Sequence, residues 1–147
     1  MSAITRIPES NNEIRLAMET QSAQKYLQEL HTENIQYISE LALAKDEIKT
    51  YINRLSEVVS ANTGKEVLAE VEHFQNQFIR HNEVIDELNA EIHHNQKAIA
   101  ALAEANNVAT DHRKTNDHTE LRDEMIQFKK IFGELRMTYL QFLAKTF

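Results

Sequence analysis

Apolar residues recur along most of this chain at intervals of three and four, with charged or amide residues between them. That spacing gathers them on one face of a helix; strands alternate with a period of two. The first unbroken run is Leu27, Leu30, Asn34, Tyr37, Leu41, Ala44, Ile48, Tyr51, Leu55 and Val58. The second is Val67, Val71, Phe74, Phe78, His81, Ile85, Leu88, Ile92, Asn95, Ile99 and Leu102. A third joins His118, Leu121, Met125, Phe128, Phe132, Leu135, Tyr139, Phe142 and Thr146. Each run is a heptad seam, the row that one helix offers to another.

Start and stop signals separate the runs. Ser10 with Glu13 and Thr63 with Glu66 are capping boxes, and Asp117 with Glu120 is a further start signal. Asn62 and Gly64 suit the left-handed conformation that closes a helix. The polar, aperiodic stretch 107–116 reads as a loop. The pattern therefore predicts a flexible segment over 1–9 and helices over 10–61, 64–106 and 117–146, roughly 75, 60 and 45 Å long. Short connections favour antiparallel neighbours. Ile38, Ile52 and Val59 widen the apolar face of the first helix enough for two neighbours. The expected fold is a single all-α domain, an elongated antiparallel three-helix bundle, with a helical hairpin that dimerises as the alternative. A turn centred on 62–63 pairs residues of the first two helices whose numbers sum to about 125, setting Ala44 opposite His81.

Composition sharpens this picture. Two Gly and one Pro leave little to interrupt long helices. The net charge of −7, from 16 basic and 23 acidic residues, speaks against nonspecific binding to nucleic acid or to an anionic membrane. There is no Cys, hence no disulfide framework and no thiolate chemistry, which fits a cytoplasmic protein. The opening residues lack the apolar run of a signal peptide, and no stretch approaches a membrane span.

Candidate chemistry is sparse. Glu70 with His73 and Glu91 with His94 form Glu-x-x-His pairs similar to those of ferritin-like di-iron bundles. His112 with Asp117 and His118 with Asp123 resemble the His-x4-Asp pairs of hemerythrin-like proteins. Both Glu-x-x-His pairs lie on the second helix, about 30 Å apart, so they cannot share an ion. We therefore expect no metal and no cofactor, and keep a metal-binding bundle as the alternative function. There is no Gly-rich phosphate loop and no nucleophile motif, so no enzymatic activity is expected either. The polar seam residues Asn34, His81 and Asn95 are expected to fix register, because a slipped pairing strands a buried polar group. A pH response is the second role open to His81.

The third helix carries more apolar residues than one seam uses. Ile126, Gly133, Met137, Leu140, Ala144 and Phe147 recur by three and four on a face roughly 150° from the seam. One bundle cannot bury both faces. Gly133 adds to the case, since Gly inside a helix costs about 1 kcal/mol relative to Ala and is kept where another backbone comes close. These six residues are the expected interface, toward a protein partner or a second copy in a homo-oligomer. Residues 10–26, with Ile14, Leu16 and Met18, form a second and less regular contact region. The expected function is that of a rigid coiled-coil adaptor, spacer or small chaperone.

Overall fold

A computed structural model of the chain describes residues 11–62, 64–104 and 112–146, with side chains from residue 118 onward in the last segment. Three helices make up the fold: α1 (Asn11–Ala61), α2 (Lys65–Glu104) and α3 (His112–Thr146). Their 51, 40 and 35 residues correspond to about 75, 60 and 50 Å. Ser10, Thr63 and Phe147, the side chain of Asp117 and residues 1–9 and 105–111 lie outside the description, so the cap and terminus expectations that rest on them do too. Among the described residues there is no strand, and no helix is long and apolar enough to cross a membrane.

The helices pack against one another through the three seams. Every seam residue of α1 from Leu27 to Val58 is buried except Tyr51, and every one of α2 from Val71 to Leu102 is buried. In α3, His118, Leu121, Met125, Phe128, Phe132, Tyr139 and Phe142 are buried. Val67, Leu135 and Thr146 are half-buried. Tyr51, Phe74, Phe78, Tyr139 and Phe142 form the aromatic end of the core, with ring centroids 4.5 Å apart for Tyr51 and Tyr139 and 5.2 Å for Phe74 and Phe142. The Tyr139 hydroxyl donates to the Tyr51 carbonyl at 3.1 Å, which satisfies a polar group inside this apolar end.

Cross-contacts give the register. Asn34 bonds Asn95 and Tyr51 packs against Phe78, so antiparallel α1 and α2 pair residues whose numbers sum to 129. His118 meets Asn95 and His81 meets Phe132, so α2 and α3 are also antiparallel, with a sum of 213. Every seam position of the shared region obeys both sums. The core is thus a stack of three-residue layers, among them Leu41–Leu88–Met125 and Leu55–Phe74–Tyr139.

Three expectations need correction. The sum of 129 is one helical turn beyond the expected 125, so Ile48, not Ala44, lies level with His81. The pivot moved because Asn62 and Gly64 both belong to the connection: Asn62 Nδ2 caps the Val58 carbonyl at 3.0 Å, and the Gly64 carbonyl accepts the first bond of α2 from Leu68 at 3.1 Å. Gly64 does this outside the left-handed region. Finally, α3 begins at His112 rather than 117; residues 112–116 contain no Gly or Pro to stop the helix from winding back over them.

Phe78, fully buried and in contact with Tyr51, Phe74 and Tyr139, tests the core. Phe78→Ala is expected to lower unfolding stability by about 3–5 kcal/mol in urea titration.

Candidate functional site

Two features of the bundle are not explained by apolar packing: a polar layer near one end of the core and an apolar face turned to solvent.

The polar layer is Asn34, Asn95 and His118, all buried. Asn34 Nδ2 donates to Asn95 Oδ1 at 2.8 Å and to Gln96 Oε1 at 3.0 Å. His118 Nδ1 donates to the same Asn95 oxygen at 2.9 Å. Gln96 Nε2 reaches His31 Nδ1 at 2.6 Å, near the surface. At the opposite end His118 Nε2 lies 3.4 Å from Glu33 Oε1. The result is a polar chain through all three helices, hydrogen-bonded from His31 to His118, with His118 Nε2 facing Glu33 but making no hydrogen bond to it in this arrangement. Turning over the amides of Gln96, Asn34 and Asn95 reverses every bond in it and moves the His118 proton to Nε2, where it faces the Glu33 carboxylate.

Glu33 anchors that end. Arg122 grips it with Nε at 2.7 Å and Nη2 at 3.0 Å, and the Tyr37 hydroxyl donates to it as well. The guanidinium bonds hold its carboxyl down at about 2, against the opposing effect of burial. Burial, reinforced by the Glu33 charge, pushes Tyr37 up to about 12. Burial pushes the His118 imidazole down, opposed by Glu33. Glu33 is also the first rung of a ladder between α1 and α3. Lys129 meets Glu40 at 2.7 Å and Arg136 meets Glu47 at 2.7 Å, and all three rungs pair residues 89 apart. Seven-residue spacing on both parallel helices is what makes the ladder repeat.

His81, the third polar seam residue, behaves differently. Its Nδ1 donates to the Gln77 carbonyl of its own helix at 2.8 Å, and its ring packs against the stacked pair Phe128 and Phe132 of α3. That partner travels with α2, so the bond is the same in any register, whereas the Asn34–Asn95 bond joins two helices. The ring forms the floor of an open trough of about 500 Å³ between α2 and α3, bounded by Arg80, Val84, Asp123 and Ile131.

One like-charge contact stands out beside this trough. Glu91 of α2 shares a hydrogen bond with Glu124 of α3, with Glu87 and Glu120 adjacent. Partial desolvation, then the Glu124 bond and the neighbouring charges, push Glu91 up to about 7. His73, His93 and His94 are exposed, and among the described residues no group of three His, Asp or Glu is placed to hold a metal ion.

The outer face of α3 carries the expected stripe. Ile126 is 58%, Met137 64% and Leu140 49% exposed. Ala144 is exposed and Gly133 half-buried. A Cβ on Gly133 would meet nothing within 4 Å, so nothing in this chain's own packing requires a glycine there. Ile14, Leu16 and Met18 are exposed on α1, which α2 accompanies only from about Lys25 in the observed register. Sequence reasoning missed the His118 network and the ionic ladder, although the seven-residue spacing of Glu33, Glu40 and Glu47 was a visible signal for the latter.

No protein-family model, curated protein or solved structure matches this chain.

Two outcomes test the polar network. Asn95→Leu removes the acceptor shared by Asn34 and His118 and is expected to cost about 1–3 kcal/mol in urea titration. Replacing Asn34, Asn95 and His118 together by Leu should recover that loss, because no unpaired polar group remains. For Glu91, the folded chain keeps the proton up to about pH 7 whereas the unfolded chain releases it near its ordinary value of 4.5. Its contribution to stability is therefore complete below that ordinary value and is lost as pH rises through about 7. Melting followed by circular dichroism should show a smaller drop from acid to mildly alkaline pH in Glu91→Gln than in the wild type.

Proposed function

We propose that this protein is a non-enzymatic interaction module, a stiff coiled-coil rod that docks an apolar helix along the outer face of α3. The observation that carries the reading is the exposed row of Ile126, Met137, Leu140 and Ala144, interrupted by a glycine that the chain's own packing does not need. Isolated exposed apolar residues are ordinary on any protein surface. A row at heptad spacing on a helix whose opposite face is already buried is an interaction seam awaiting a second helix.

The mechanism is helix-to-helix docking. Apolar contact supplies the affinity and charged flanks select the orientation. Met137 suits an adaptable contact because its side chain is unbranched and polarisable. The rest of the molecule serves as a rigid support: the layered core and the Glu–Arg and Glu–Lys rungs hold α3 in place against α1 and α2. Adaptor, spacer and small chaperone roles all use such a rod. A cytoplasmic setting suits a chain without cysteine.

Leu140→Glu tests the reading, since the side chain is about half exposed and the variant should fold as the wild type does. Circular dichroism should show unchanged helicity, while associations captured with the wild-type chain, with itself or with other proteins, should be lost. Unchanged associations in the variant would remove the outer face from the account.

A further inference from the structure

We propose that the helix docked on the outer face of α3 is α3 of a second copy of this chain, running parallel to it. This rests on the reading of that face as an interaction seam and adds the identity and direction of the occupant.

The first argument is the spacing. Ile126, Lys130, Gly133, Met137, Leu140 and Ala144 follow one another by four, three, four, three and four residues, a complete second seam on one helix. A lysine at one seam position, here Lys130, is a known means of limiting such a pairing to one register and one oligomer size, at some cost in affinity. Opposite Gly133, the backbone of a second helix gains the close approach that no residue of this chain uses.

The second argument is charge, and it selects the direction. One flank of the outer seam is Arg122, Lys129 and Arg136; the other is Gln127, Glu134 and Gln141. In an antiparallel twofold pair, like flanks meet, so Arg122, Lys129 and Arg136, each already paired with a glutamate of α1, would face one another and gain no new partner. In a parallel pair, each residue of the first flank faces the residue five positions further on the second flank of its mate. Arg122 then faces Gln127, Lys129 faces Glu134 and Arg136 faces Gln141 of the second copy. Glu134 makes no ion pair among the described residues, while Lys129 already holds Glu40. The second copy's carboxylate extends that rung into a Glu–Lys–Glu bridge. Each rung on α3 so belongs to two interfaces, one inside the chain and one between chains.

The natural chain has no cysteine, which makes single-cysteine variants direct reporters of direction. Sedimentation equilibrium of the full chain from micromolar to millimolar concentration should show the mass of two chains, and Leu140→Glu the mass of one. Ile126→Cys and Ala144→Cys, both at exposed positions, should each oxidise to a self-linked dimer, because a parallel pair sets each position against itself. Gln141→Glu, which faces Arg136 of the second copy, should tighten the dimer by about threefold. A single-chain mass throughout would overturn the proposal, even if Leu140→Glu still lost other partners and so left the seam itself as an interface. Cross-linking only between residue 126 of one copy and residue 144 of the other would overturn the parallel direction.

Discussion

One hydrogen bond between two buried amides, Asn34 on α1 and Asn95 on α2, holds this rod in its register. Heptad seams by themselves tolerate a slip of one heptad, because an apolar row meets another apolar row almost as well after the slip. The amides do not tolerate it. A slip of seven residues in either direction would place Asn34 opposite Leu88 or Leu102 and Asn95 opposite Leu27 or Leu41, leaving buried polar groups without partners at about 1–3 kcal/mol each. Every other layer, from Leu27–Leu102 at one end to Val58–Val71 at the other, follows from that single pairing.

The third helix is read from the same layer. His118 bonds the Asn95 oxygen that Asn34 also uses, so α3 settles at the height where its histidine completes the polar set. Once it is there, Arg122, Lys129 and Arg136 fall beside Glu33, Glu40 and Glu47. Partly exposed pairs of this kind contribute little energy singly, on the order of 0.2–1 kcal/mol. Their value lies in agreement: three rungs demand the same offset that the core layers demand. The forked Arg122–Glu33 contact also keeps a carboxylate ionised beside the polar layer, where Tyr37 and His118 both lean on it.

Electrostatics is uneven along the molecule. At the aromatic end Lys145 answers Glu70 across α2 and α3, and midway along the rod Lys45 answers Asp86 across α1 and α2. Toward the polar layer the same α2–α3 seam sets Glu91 against Glu124. The contact between Glu91 and Glu124 is therefore the one that weakens as pH rises through about 7. The outer face of α3 lies away from that strain, on a helix held along its length by the core and by the rungs to α1.

What the sequence by itself determined is the set of faces. Spacing by three and four is a local property, and it named nearly every buried residue of α1 and α2, the inner face of α3, and Ile126, Met137, Leu140 and Ala144 as left outside. It also marked Asn34, His81 and Asn95 as polar members of the seam without distinguishing them. Tertiary structure alone decided that Asn34 and Asn95 bond across helices while His81 bonds its own backbone, that His118 joins the polar layer, and that three glutamates of α1 meet three cations of α3. Those outcomes depend on pairing residues from 23 to 89 positions apart. The pairing turns on where the Asn62–Gly64 connection pivots and on which buried polar groups find partners, and neither is a property of any local stretch of chain.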